Sequence, residues 1–123
     1  MPGEEVPEDV REFILRYINS IAQLEALLLL WRDPNKSWDS AAMARRLYVG
    51  EGETIEVLTQ LNADGLLTET QGSYRFNKDD WQEPVGRLAE SYAKQLIPIT
   101  NIIHAKPRRI REFADAFKFR KGR

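Results

Sequence analysis

The sequence predicts a mainly α fold of the α+β class, in which helices surround one small β-hairpin. Three observations predict it. Between Trp38 and Phe76, two runs with helical apolar spacing are parted by Val49-Gly50-Glu51-Gly52 and followed by two strand-like runs around Gln71-Gly72-Ser73. Upstream, residues 21–31 are apolar on nearly every face, which suits a helix covered on several sides. Downstream, Val85, Ala89, Tyr92, Leu96, Ile99 and Ile103 recur at alternating intervals of four and three, as along the seam of a long helix.

The chain opens acidic, with Glu4, Glu5, Glu8, Asp9 and Glu12. Pro7 fits the first turn of a helix, and Glu8 and Asp9 complement its positive end. Val10, Phe13, Ile14, Tyr17, Ile18 and Ile21 then recur on one face. Asn19-Ser20 breaks or bends this run, and Ser20 with Gln23 matches a capping box, the signature of a fresh helix start. The central helix that follows is densest at Leu24, Leu27, Leu28 and Trp31 and ends at Asp33-Pro34-Asn35. Lys36-Ser37-Trp38 is placed to add a short third strand to the hairpin.

Asp39 or Ser40 caps the next helix, whose apolar face is Ala42, Met43, Ala44 and Leu47. Gly50 and Gly52 are expected to supply the sharp reversal after it. From about Glu53 a second helix carries Ile55, Leu58 and Leu61, with Val57 beside them. It stops at Asn62-Ala63-Asp64-Gly65, where Gly65 suits the left-handed position after a helix. Leu66-Leu67-Thr68-Glu69-Thr70 and Tyr74-Arg75-Phe76 read as the two strands of the hairpin. Asn77 or Asp79 caps the long helix beyond, and Pro98 removes one backbone donor inside it, which places a kink or restart near Gln95. After Lys106-Pro107 a last helix shows Ile110, Phe113, Ala114 and Phe117 on one face. The expected division is an acidic segment and helix over 1–19, a core over 20–77, and helices for packing or dimerisation with a basic tail over 78–123.

Composition narrows the function. The chain has no cysteine, which excludes disulfides, thiolate metal sites and cysteine catalysis. No stretch approaches the roughly 20 apolar residues that span a bilayer, and the acidic start lacks a secretory pattern, so a soluble, cytoplasmic protein without membrane partners is expected. His104 is the single histidine and has no visible partner, and Asp79-Asp80 and Glu51/Glu53 stand where helix starts favour carboxylates. No phosphate-cradling glycine loop, nucleophile elbow or metal-ligand spacing is present, so neither an enzyme nor a cofactor, metal or small-molecule site is expected.

The segments Ala42-Met43-Ala44-Arg45-Arg46-Leu47, Ile55-Glu56-Val57-Leu58-Thr59-Gln60-Leu61 and Asp64-Gly65-Leu66-Leu67, in this order before a hairpin, resemble the winged helix-turn-helix superfamily, to which many bacterial transcription regulators belong. Phe113-Ala114-Asp115-Ala116-Phe117 is similar to the ends of small uncharacterised bacterial winged-helix proteins. The resemblance implies a regulator of transcription whose second motif helix enters the major groove of double-stranded DNA while the hairpin touches the backbone. The outer helices carry more apolar surface than a small winged domain covers, so they either fold back on the N-terminal helix or pair with those of a second chain. Similar winged-helix regulators dimerise through terminal helices, and a homodimer is expected.

The contact residues on that reading are Lys36, Arg45, Arg46, Glu53, Glu56, Thr59, Gln60, Arg75 and Lys78. Gln60 matches an adenine edge, and a glutamate accepts from cytosine. Residues 51–64, however, include no lysine or arginine, so this helix repels phosphates where such modules usually attract them. A second expectation therefore stands beside the first: a protein-interaction module that presents its acidic helix to a basic partner. For the dimer, the expected contacts are Val85, Tyr92, Leu96, Ile99, Ile103, Ile110, Phe113 and Phe117. Charge is balanced overall, at −1, but segregated, with Lys106, Arg108, Arg109, Arg111, Lys118, Arg120, Lys121 and Arg123 crowding the end.

Overall fold

A computed structural model describes residues 5–106 of the chain. Its elements run α1 (Glu8–Tyr17), α2 (Ile21–Arg32), β1 (Trp38–Asp39), α3 (Ser40–Leu47), α4 (Glu51–Ala63), β2 (Leu67–Thr70), β3 (Ser73–Phe76), α5 (Lys78–Lys94) and α6 (Leu96–Ala105). The fold is mainly helical with a small three-stranded antiparallel sheet, and no single helix among the described residues is long and apolar enough to cross a membrane.

The break between α1 and α2 follows from side-chain chemistry. The Ser20 hydroxyl accepts from the Gln23 N–H at 3.0 Å, and the Gln23 side-chain oxygen accepts from the Asn19 N–H at 2.6 Å. Two donors at the start of α2 are satisfied this way, with the reciprocal bond made one residue earlier than in the usual box. The two helices meet at 112°. At the same elbow the Lys106 ammonium donates to the carbonyls of Ile14 and Ile18, at 3.1 and 2.6 Å, and to Asn19 Oδ1 at 3.0 Å. A cation on the last carbonyls of α1 suits the negative end of its dipole.

Helix α2 is the centre of the molecule. Leu24, Ala26, Leu27, Leu28 and Leu30 are buried on several of its sides, against α3, α4, α5 and β3. Each buried leucine contributes roughly 1.5–3 kcal/mol of transfer free energy, which makes α2 the main source of cohesion between the two halves. Gly86 faces α2, and a Cβ there would lie 3.5 Å from the Trp31 ring, an ordinary contact.

The sheet order is β1-β3-β2, with Trp38 opposite Tyr74 and Leu67 opposite Phe76. The third strand starts two residues later than expected and is confined to Trp38–Asp39. Strand alternation turns Trp38, Tyr74, Phe76 and Leu67 to the core side and leaves Arg75 and Thr68 on the other. The hairpin closes through Gln71 and Gly72, with φ of 52° and 84°, the paired left-handed residues that a two-residue turn of matching twist requires.

Three expectations about the α3–α4 region are corrected. Asp39 caps α3 through the Ala42 N–H at 2.8 Å, but the reversal after α3 is made by Tyr48, at φ 59° and ψ 43°, and not by a glycine. Gly50 has an ordinary φ of −61° and precedes a helix that starts at Glu51, two residues earlier than predicted. The buried face of α4 is Thr54, Val57, Leu58 and Leu61, so Ile55 lies outside it. Thr54 takes that inner position because its hydroxyl is satisfied locally, donating to the Gly50 carbonyl at 2.9 Å.

Beyond the hairpin, Asn77 stands at the start of α5 without capping it. Its amide donates to the Gly65 carbonyl and to Asp80 Oδ2, at 2.9 and 3.2 Å. The restart falls at Gln95, with Pro98 in the first turn of α6, where a missing N–H costs little. The seam therefore changes direction. Val85, Ile99 and Ile103 are buried inside the chain, whereas Leu96 points outward. Helix α1 packs on both α5 and α6, with the Phe13–Tyr17–Trp81 ring cluster against α5, and the segment before α1 is tied to the α5–α6 break by Gln95 Nε2 donating to the Glu5 carbonyl at 2.6 Å. With Lys106 tied to the opposite end of α1, the two helices α1 and α6 run side by side in the same direction. The expected last helix, with Ile110, Phe113, Ala114 and Phe117, lies outside the described residues.

Candidate interaction face

The predicted contact residues separate by charge. On α4, Glu51, Glu53, Glu56, Thr59 and Gln60 are exposed. The Gln60 amide is turned along the helix, donating to both carboxylate oxygens of Asp64 at 3.2 Å, so in this arrangement it is engaged with its own chain. The ion pairs among the described residues are Arg87–Asp9 and Lys94–Glu90, and neither involves α4. Its carboxylates therefore project as a negative surface next to the helix N-terminus.

Two apolar groups that sequence reasoning missed share this region. Ile55 is 47% exposed on α4, and Tyr48, in the turn that leads into it, is 93% exposed. A tyrosine in the left-handed region is uncommon and costs about 1–2 kcal/mol relative to an ordinary conformation. The Tyr48 ring recovers none of this through packing. The sequence signal for Tyr48 was slight: a residue ending a helix before Val49-Gly50, read past because a glycine followed.

The basic candidates lie elsewhere. Arg45 and Arg46 are exposed in the last turn of α3, where positive charge also suits the helix dipole. Lys36 sits over the Trp38 ring at 4.0 Å, and Lys78 donates to Asn35 Oδ1 at 3.3 Å, which gathers these two lysines around the loop before β1. Arg75 is exposed on the sheet side opposite the core. The fold thus puts cations around the sheet and at the end of α3, and leaves α4 acidic.

The expected dimer contacts do not form one surface. Val85, Ile99 and Ile103 are covered by the same chain. Tyr92 is part-buried and donates to Glu25 Oε2 at 2.9 Å, tying α5 to α2; burial, then that bond, pushes its phenol up to about 12. Leu96 and its neighbour Ile97 are 49% and 64% exposed, and Ile110, Phe113 and Phe117 lie outside the described residues. A groove of about 260 Å³ between the start of α1 and the end of α5 is lined by Glu5, Pro7, Arg87, Glu90, Ser91, Lys94 and Gln95. That is smaller and more polar than the pockets that hold organic ligands. Searches of family models, curated proteins and solved structures give no match to the chain.

Proposed function

We propose that the chain is a non-catalytic regulatory module on a winged-helix scaffold, with β2 and β3 as its wing, and that its α4 face binds a basic surface of a protein. The observation that carries this reading is the solvent side of α4. It displays Glu51, Glu53 and Glu56, with the exposed Ile55 one turn after Glu51, Tyr48 in the turn before the helix, and no lysine or arginine along it. Carboxylates steer a basic partner and set its orientation, while an exposed aromatic and an aliphatic group beside them supply area that gains by desolvation. Set against duplex DNA, the same carboxylates oppose every phosphate they approach.

A second reading, a DNA-binding transcriptional regulator, is favoured by a different observation. Arg75 on the outer side of the hairpin, with Arg45 and Arg46 at the end of α3, supplies cations where a winged module meets the DNA backbone. Fluorescence anisotropy with duplex DNA at two salt concentrations separates the two. On the protein-binding reading the wild-type chain shows no affinity for duplex, and Glu53→Lys/Glu56→Lys gains some. Wild-type binding that falls steeply with salt and is lost in Arg75→Glu would put the DNA reading in its place.

A further inference from the structure

We infer that the basic partner of the α4 face is residues 107–123 of a second copy of this chain, an inference that rests on the protein-binding reading above. The first argument is charge. Residues 107–123 hold seven lysines and arginines against two acidic residues, whereas the 106 residues before them hold eleven against seventeen. The molecule is thus a negative body joined to a positive segment, and α4 is a part of that body where carboxylates stand exposed without a cation among the described ion pairs. Apolar chemistry agrees. Ile110, Phe113 and Phe117 recur at helical spacing between those cations, and the α4 face offers Ile55, with the exposed Tyr48 in the turn before it.

Reach bears on which copy can dock the whole stripe that begins at Ile110. Lys106 is fixed on the carbonyls of Ile14 and Ile18 at the α1–α2 elbow. The four residues from there to Ile110 span about 14 Å at full extension. Helix α4 packs on α2, α3 and β2, while α1 packs on α5 and α6. Passing α2 and reaching the outer side of α4 therefore requires about two helix diameters, roughly 20 Å. A second copy meets no such limit, and reciprocal exchange of two segments closes a two-fold dimer. Such a dimer uses none of Val85, Ile99 and Ile103, which are already buried within one chain.

The absence of cysteine makes the test direct. A size-tagged Thr59→Cys chain is mixed with an untagged Asp115→Cys chain and oxidised mildly, with Glu83→Cys on the exposed side of α5 replacing Thr59→Cys as the control. The expected result is a mixed disulfide that forms well ahead of the control, and that is lost in high salt and on adding Glu53→Lys/Glu56→Lys to the tagged chain. Formation no faster than the control overturns the inference, as does a doubly substituted chain that closes on itself as a monomer. If the cross-link fails and duplex DNA is also not bound, only self-pairing falls and the acidic face serves another basic protein. Steep, salt-sensitive duplex binding that is lost in Arg75→Glu removes both.

Discussion

Arg87 on α5 holds Asp9 on α1 through two parallel bonds, with Nε donating to Oδ2 at 2.5 Å and Nη2 to Oδ1 at 3.0 Å. This fork joins the first helix to the fifth beside the entrance of the polar groove. Its main electrostatic consequence is that the guanidinium hydrogen bond keeps the Asp9 carboxyl below its ordinary value of 3.8. A carboxyl lowered on folding adds stability that is present above the unfolded value and is lost as pH falls through the folded one. The pair is more than half exposed, so water screens much of its effect. Asp9→Asn is accordingly expected to lower the melting midpoint slightly at pH 7, with the difference from wild type shrinking below about pH 3.8 and in high salt. Parallel melts of the two chains at neutral and acid pH check it; a difference that stays constant with pH would assign the effect to packing.

The Tyr92–Glu25 bond has the opposite pH sense. A phenol raised to about 12 on folding contributes stability that is complete below 10 and is lost as pH rises towards 12. Tyr92→Phe is expected to cost about 0.5–1.5 kcal/mol at neutral pH, the usual worth of a partly buried hydrogen bond. Spectrophotometric titration of the four tyrosines should show one ionising late, and that late step should be missing from the Phe variant.

Much of the fold was legible because local chemistry and tertiary packing agree. Ser20 and Gln23 mark the start of α2, Gly65 takes its left-handed position at φ 84°, and Pro98 marks the restart at Gln95. What was illegible has physical reasons too. The α4 face was assigned from hydrophobicity, which ranks Ile55 above Thr54, whereas a threonine that back-bonds to Gly50 buries its methyl at little polar cost. The spacing from Val85 to Ile103 puts all six residues on one face even with a restart near Gln95, but the break there rotates α6, so that Ile99 stays inside while Leu96 turns out. At the candidate site the exposed acidic residues were legible from spacing. Tyr48 and Ile55 were not, since burial set by distant elements decides which apolar group is left over.

Gly86 tests how tightly α5 lies on α2. A Cβ added there meets the Trp31 ring at 3.5 Å, an ordinary contact, and the position has no left-handed φ. Gly86→Ala should therefore stabilise by about 0.5–1 kcal/mol, through lower backbone entropy in the unfolded chain. Gly86→Leu should do the reverse, because a bulky side chain starting in contact with the indole crowds it, at a cost of about 1–3 kcal/mol. Urea denaturation of the three chains gives both signs, and stabilisation by leucine as well would mean that the helices have room to part.

Tyr48 brings stability and the proposed binding into opposition. Its left-handed backbone costs about 1–2 kcal/mol, and a glycine there returns part of that gain through the greater freedom of the unfolded chain. Tyr48→Gly is thus expected to stabilise the fold by about 0.5–1 kcal/mol, since a ring that is 93% exposed gives up almost no packing. The same substitution removes the aromatic at the lip of α4, so the salt-sensitive cross-link between Thr59→Cys and Asp115→Cys chains should weaken in the more stable protein. Tyr48→Ala separates the causes, because it keeps the strained backbone and loses only the ring. Its cross-link yield should match that of the glycine variant, while its denaturation midpoint should stay near wild type. If both variants cross-link as well as wild type, the ring has no part in partner binding, and Ile55 and the α4 carboxylates alone must hold the segment.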